Sequence, residues 1–400
     1  MNEEKRTTTA NALIWFGAAV SIAEIYTGTL MAPLGMARGM GAVVAGHLIG
    51  GFLMYLAALI GGLSGRGAME SVKLSFGEQG AKFFAALNVL QLVGWTAVMI
   101  AGGAISLGII LNPMYGTENT LWCGVIGIMI AIWIMLDMKN FERVNKLAMA
   151  ALFILTLVLS FIVFKRGATE AARGVMSFAE MDGMMYKIEG EDLYLIGTSE
   201  HSMISDYMRD AEEPKKSAAV STVIYSLASC WMYFIGLGVA IYTGGSDIAK
   251  IMLEAGLGIA GVVIVAFSTV TTTFLDAYSA GISFHVVFSG IKEKAAGVAV
   301  CAIGTMTAIF ARSDSYENLL YLISSVFAPM AAVMVTDFFI LKRNRAAKQI
   351  SLRNIILWAV GFALYRYLMT VGSPIGATLP VIAATVGLTW LAGVALPEKS

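Results

Sequence analysis

Long apolar runs separated by short polar turns dominate the chain. A helix needs roughly 20 apolar residues to cross a bilayer core. Runs that can fill such a helix lie near 11–32, 39–63, 82–111, 119–137, 147–164, 217–243, 255–288, 294–311, 316–341, 355–372 and 375–396. A polar stretch, Lys165 to Gly190, divides the first five from the rest. After it comes DLYLIGTSEHSMISDYM (192–208), apolar at both ends and polar in its middle, which we count as a twelfth span. The pattern therefore predicts an all-α integral membrane protein with twelve transmembrane helices.

The placement of lysine and arginine supports that count, because cytoplasmic loops carry the excess of both. With the N-terminus inside, the inner segments hold Lys5 and Arg6; Arg66, Lys73 and Lys82; Lys139, Arg143 and Lys146; Arg209, Lys215 and Lys216; Lys292 and Lys294; the basic loop from Lys342 to Arg353; and Lys399, against Arg38, Lys165, Arg166, Arg173, Lys187, Lys250 and Arg312 outside. Dropping the segment at 192–208 would put the loop from Lys342 to Arg353 outside. Both termini are expected in the cytoplasm, in a multi-pass protein of the cell membrane.

Composition agrees with the pattern. A soluble chain of 400 residues would form two or three domains. Here 58% of residues are hydrophobic and 14% charged, against roughly 25% charged in ordinary globular proteins. Mean hydropathy is +0.76, and a soluble fold this apolar would expose large patches and aggregate. The 27 basic and 27 acidic residues cancel, which argues against nucleic acid as a partner. Cys123, Cys230 and Cys301 each sit in an apolar run and read as small buried hydrophobes. No P-loop, metal-enzyme spacing or nucleophile–base pair is present, so the chain does not read as an enzyme. No obligate protein partner is evident.

Two spans carry polar interruptions. The first, ALIWFGAAVSIAEIYTGTLMAPLG, holds Ser21 and Glu24 at its centre, flanked by Gly17 and Gly28. The sixth holds Gly197, Thr198, Ser199, Glu200 and His201 in succession. Ionisable groups at bilayer depth are costly and mark a pathway or site. Polar, glycine-containing breaks in corresponding helices of two halves point to a transporter built from inverted repeats. The expected organisation is a cytoplasmic tail (1–10), a first repeat of five helices (11–164), an extracytoplasmic loop (165–190), a second repeat (191–343) and two further helices with a short tail (344–400).

Five stretches resemble the nucleobase–cation symporter family. They are WFGAAVSIAEIYTGTLMAPLG (15–35), NVLQLVGWTAVMI (88–100), SDYMRDAEEPKKS (205–217), STVTTTFLDAYSAGIS (268–283) and APMAAVMVTDFFILKR (328–343). The hydroxymethylpyrimidine permease-like branch is most similar. The resemblance implies the leucine-transporter-like fold, with a 5+5 inverted repeat, broken helices 1 and 6, and sodium or proton symport of a flat heterocycle. It also implies hydroxymethylpyrimidine, a thiamine precursor, as the imported ring, with cytosine or another base as the alternative. Where that branch has an aromatic residue in the sixth helix, this chain has TSEHS (198–202).

Candidate site residues follow. Gln91 and Trp95 are four apart, hence on one helix face, and offer an amide edge and a stacking platform to a flat ring. Asp276 and Glu200 are the carboxyls at depth that can read an aminopyrimidine edge, whose amino donor adjoins a ring-nitrogen acceptor. Ser21 and Glu24, at the break in the first span, are further candidate substrate-binding residues. The resemblance implies a sodium site made from the carbonyls of Gly17 and Val20, the Ser268 carbonyl, and the Thr271 and Thr272 hydroxyls. No other cofactor is expected beyond Na+ or H+ as the coupling ion. His201 and His285 are candidate proton carriers, and His47 reads as a residue packed between helices.

Overall fold

The computed structural model describes residues 5–136, 150, 153–154, 156–165, 201–243, 258–310, 316–371 and 376–395, and these are almost wholly helical. The first predicted span is broken. Helix α1 (Thr8–Ala19) starts at Thr7, whose hydroxyl accepts the Ala10 N–H, and stops at Val20. Val20 and Ser21 are non-helical, and α2 (Ile22–Leu30) then leaves at 47°. The break has a local cause. Ser21 takes an extended conformation, and its Oγ accepts the Glu24 N–H at 3.1 Å, so it caps a new helix instead of continuing the old one.

A long α3 (Gly35–Ser64) and a short α4 (Ala68–Ser71) follow, then α5 (Lys73–Tyr115). Helix α5 begins nine residues before the apolar run at 82–111. Its extra turns are polar, with Lys73 and Lys82 both paired to Glu78 (2.7 and 3.3 Å), so hydropathy alone cuts them off. It bends at Gly77, whose φ of 78° favours glycine and whose Cβ would meet the Lys348 carbonyl at 2.7 Å. Next come α6 (Asn119–Met135) and α7 (Thr156–Lys165). The second half contains α8 (His201–Met208), α9 (Pro214–Thr243), α10 (Gly258–Val287), α11 (Glu293–Phe310), α12 (Tyr316–Val335, ending in a π turn at Thr336–Ile340), α13 (Leu352–Val371) and α14 (Thr378–Ala395).

Among the described residues eight helices are long and apolar enough to span a membrane, and the bent α1–α2 pair makes a ninth. Helices α6 and α7 are shorter apolar helices at predicted span positions. Of the sixth predicted span, 201–208 forms α8, while Glu200 and the residues before it lie outside the described residues.

The helices sort into two packed groups. In one, α9 lies against α1, α2 and α3, and α3 holds α8. In the other, α10 runs along α5, and α6 and α11 pack on both. Small residues let backbones approach within each group. A Cβ on Gly28 would meet Tyr233 Cα at 2.7 Å, and one on Gly61 would meet Ser205 Cα at 2.6 Å. Helices α12, α13 and α14 form a third cluster that holds a buried ion pair between Asp337 and Arg345, and the Arg345 N–H donates to the Leu74 carbonyl at the start of α5 (2.8 Å). Asn354 Nδ2 donates to Asp337 (2.6 Å) and to the Ser75 carbonyl (2.7 Å).

One end of the first group is latched. The Arg6 backbone pairs with the segment after α8, donating to Asp210 O (2.7 Å) and accepting from the Glu212 N–H (3.0 Å). The Arg6 guanidinium donates to Tyr207 O and lies over the Tyr207 ring. Arg209 then bridges to Glu293 at the start of α11 (3.2 and 2.9 Å), linking the two groups. Burial disfavours the Arg209 charge, but Glu293, Asp206 and Asp210 more than offset this and hold its pKa above the ordinary arginine value.

Candidate functional site at the broken helix

The two groups meet where α1 and α2 face α10. The Ser268 hydroxyl donates to the Val20 carbonyl at 3.0 Å, directly at the break. The Ser268 carbonyl accepts from Thr271 Oγ1 (3.1 Å) and Thr272 Oγ1 (2.9 Å). Val20 O, the two Ser268 oxygens and both threonine hydroxyls therefore form one buried oxygen cluster across the two groups. Gly17 is buried in the last turn of α1. Helix ends leave their last carbonyls without in-helix donors; here the Ser21 N–H turns back to Ala19. Hard cations take such neutral and carbonyl oxygens.

About 12 Å further along α10, eight residues at 1.5 Å each, lies Asp276. It is 4% exposed, and its Oδ2 has no hydrogen-bond partner among the described residues. Leaving a buried acceptor unpaired costs about 1–3 kcal/mol, so this oxygen is set up for a donor from elsewhere. Helices α5 and α10 are antiparallel neighbours. Asn88 Nδ2 donates to Ser283 Oγ at 2.8 Å, and a Cβ on Gly103 would meet the Thr269 side chain at 2.7 Å. Seven residues from Asn88 to Trp95, matched by seven from Ser283 back to Asp276, bring Trp95 level with Asp276. Gln91 is buried, one turn from Trp95, and donates to Asn88 Oδ1. Trp95 is half-buried. Tyr207 of α8 reaches the same stretch of α10, donating to Leu275 O at 3.3 Å.

Ser21 and Glu24 stand at the break itself. The Ser21 hydroxyl serves as the cap of α2. Glu24 turns toward α9, where Tyr225 Oη lies 3.0 Å from its Oε1 and Ser229 Oγ 3.0 Å from its Oε2. Ser229 Oγ is in turn 2.6 Å from His47 Nε2, and His47 Nδ1 lies 2.8 Å from Val43 O. His47 is buried between α3 and α9, as its reading as a packing residue requires, and it also extends the Glu24 network. The Tyr225, Ser229 and Tyr233 spacing at four residues puts all three on one face of α9, which is a signal present in the sequence. Glu200 and the His201 side chain lie outside the described residues. His285 Nδ1 lies 2.8 Å from Ile291 O at the end of α10. A separate cavity of about 470 Å³ lies at the latched end, lined by Lys5, Gly62, Arg209, Asp210, Glu212 and Pro214 among others.

Two helix groups meeting at a broken apolar helix define a membrane permease of the leucine-transporter-like fold. The structure matches that of Mhp1, a nucleobase-cation-symport-1 family transporter, in a closed conformation with bromovinylhydantoin bound. The TM-score is 0.78 at 17% identity, over 99% of this chain and 95% of that one. It also matches a Na+-coupled sialic acid symporter at TM-score 0.72 and 12% identity, over 98% and 90%. The sequence belongs to the permease family for cytosine/purines, uracil, thiamine and allantoin, whose family model matches residues 1–393. The cytosine permease of Escherichia coli (strain K12) is 22% identical over 345 residues, 84% of this chain and 78% of the relative. A putative purine-cytosine permease of Bacillus subtilis (strain 168) is 20% identical over 356 residues, 83% and 76%.

Proposed function

We propose that this permease imports a small aminopyrimidine, hydroxymethylpyrimidine or cytosine, by symport with a cation bound at the break in the first helix. The single observation that carries the reading is the Val20–Ser268 contact. It puts an oxygen cluster of cation-ligand chemistry at the junction of the two helix groups, two turns along α10 from a buried acceptor that has no partner among the described residues. Gly17, Val20, Ser268, Thr271 and Thr272 hold sodium. Trp95 stacks on the ring, Gln91 bonds its edge, and Asp276 accepts from the exocyclic amino group, with Glu200 completing the site from the sixth helix. A cation joining Val20 O to the α10 hydroxyls fixes the angle between the groups. That angle shapes the ring site, and this couples the two ligands.

The same reading places twelve spans in the cell membrane with both termini cytoplasmic, so the latch at Arg6, Tyr207 and Arg209 closes the inner mouth. The resemblance to the thiamine-precursor branch favours hydroxymethylpyrimidine, and the Escherichia coli relative, a cytosine permease, favours cytosine. Uptake of both radiolabelled rings, and of uracil, into cells expressing the protein tests this with and without sodium. Saturable, sodium-stimulated uptake of an aminated ring is expected. Uptake that follows a proton gradient and ignores sodium would remove the sodium assignment.

A further inference from the structure

Three side chains outside the oxygen cluster pose a proton-counting problem. Glu24 of α2, Ser229 of α9 and His47 of α3 lie in a line, with contacts of 3.0 and 2.6 Å, and His47 Nδ1 is 2.8 Å from the Val43 carbonyl. A carbonyl can only accept, so Nδ1 must carry a hydrogen. Ser229 has one hydroxyl hydrogen, yet it lies between two atoms that both want it when Glu24 is ionised and His47 neutral. In that state one of the two short contacts becomes lone pair against lone pair. The other neutral tautomer moves the same clash to Val43.

One added proton removes the conflict in either of two arrangements. Glu24 Oε2–H donates to Ser229, Ser229 donates to His47 Nε2, and Nδ1–H donates to Val43. Alternatively Nε2–H donates to Ser229 and Ser229 donates to ionised Glu24. A shift of two hydrogens along the line interconverts them, with no change in net charge. Where water is scarce the fully neutral form is favoured.

We propose that Glu24, Ser229 and His47 form a one-proton binding site whose occupancy clamps the second half of the broken helix onto α9 and α3. Helix α2 depends on this clamp. It is only nine residues long, and it meets α9 backbone to backbone at Gly28 and Gly236. Among the described residues, the titratable groups around Glu24 are Tyr225, Tyr233 and Cys230 on α9 and His47 on α3. Of the other helices touching α2, α10 carries Asp276, Tyr278 and His285, and α5 has no titratable side chain from Phe83 to Met114. Loss of the proton opposes two lone pairs at the junction of three helices and loosens α2. The chain thus carries a proton-controlled clamp at Glu24, separate from the oxygen cluster at Val20.

Amide hydrogen exchange of segment 22–30, by mass spectrometry on purified protein in lipid nanodiscs, tests this. Glu24→Gln is the matched control, since the glutamine amide donates to Ser229 as the protonated acid does and has no proton to lose. At acidic pH the two proteins should exchange alike. At alkaline pH the wild type should exchange at least about 10-fold faster, the ratio removing the intrinsic pH dependence. A ratio constant across pH would overturn the proposal. Should Glu24→Gln fail to fold, infrared spectra of wild type labelled with ¹³C-glutamate and ¹⁵N-histidine decide. A protonated buried glutamate or an imidazolium is expected at neutral pH, and the absence of both would overturn it. Neither measurement uses a transported ring or sodium, so failure here leaves the transport reading standing.

Discussion

Replacing Asp276 by asparagine probes how the ring edge is read. Asp276 is only 4% exposed, and its Oδ2 has no partner among the described residues. In the proposed complex that oxygen accepts from the exocyclic amino group of the bound ring. A ring without that group leaves the oxygen unpaired, at about 1–3 kcal/mol. Since 1.4 kcal/mol is tenfold, an aminated ring should compete about 10- to 100-fold better than its deaminated counterpart. The asparagine side chain keeps one acceptor and one donor group but cannot ionise. If the aspartic acid acts in its neutral form, the asparagine variant should retain discrimination across pH. If it pairs as carboxylate with a protonated ring, the variant should lose both binding and pH dependence. The assay is competition against labelled cytosine uptake by cytosine, hydroxymethylpyrimidine and uracil, on wild type and Asp276→Asn, from acidic to neutral pH. Equal competition by aminated and deaminated rings in the wild type would refute the assignment of Asp276.

Other substitutions test separate parts of the account. Trp95→Ala should weaken apparent affinity about 10- to 100-fold, from about 1–3 kcal/mol of stacking, while Trp95→Phe retains part of it; uptake kinetics in membranes with matched protein levels measure this. Thr271→Ala or Thr272→Ala should raise the sodium concentration for half-maximal uptake on the order of 10-fold with little change in maximal rate, read from sodium titrations. Gly28→Ala drives a methyl into the Tyr233 backbone and should cost about 1–3 kcal/mol, seen as a lower Tm in detergent. Arg345→Ala leaves Asp337 buried without its ion-pair partner and should cost about 3–5 kcal/mol, whereas an Arg345→Met and Asp337→Leu pair recovers most of it; thermal unfolding distinguishes the two.

The break in the first span was legible in the sequence because its cause is local. Ser21 is a capping residue followed by an acidic first turn, and Glu24 and Gly28 interrupt an apolar run. The oxygen types at Ser268, Thr271 and Thr272 were legible as well, through the resemblance, though their approach to Val20 is a tertiary fact. The start of α5 was hidden because hydropathy ends where Lys73, Glu78 and Lys82 begin, and these residues continue the helix through ion pairs. Glu24 was legible as a buried acid but not as a partner of α9, since Tyr225, Ser229 and His47 come from two other helices. Arg345 counted in the sequence as a loop charge, yet it is 2% exposed and neutralises Asp337 from eight residues away. Such pairings depend on where the chain returns, which periodicity does not encode.

The central claim is that a nucleobase-like ring and a cation move together through the site at the broken helix. Purified protein in proteoliposomes, loaded with potassium and diluted into sodium, measures it directly with labelled cytosine and labelled hydroxymethylpyrimidine. The account predicts saturable accumulation of at least one of the two rings above the outside concentration, collapsed by a sodium ionophore and abolished by combining Thr271→Ala with Thr272→Ala. Flux of both rings that only equilibrates, whatever the ion gradient, would contradict it.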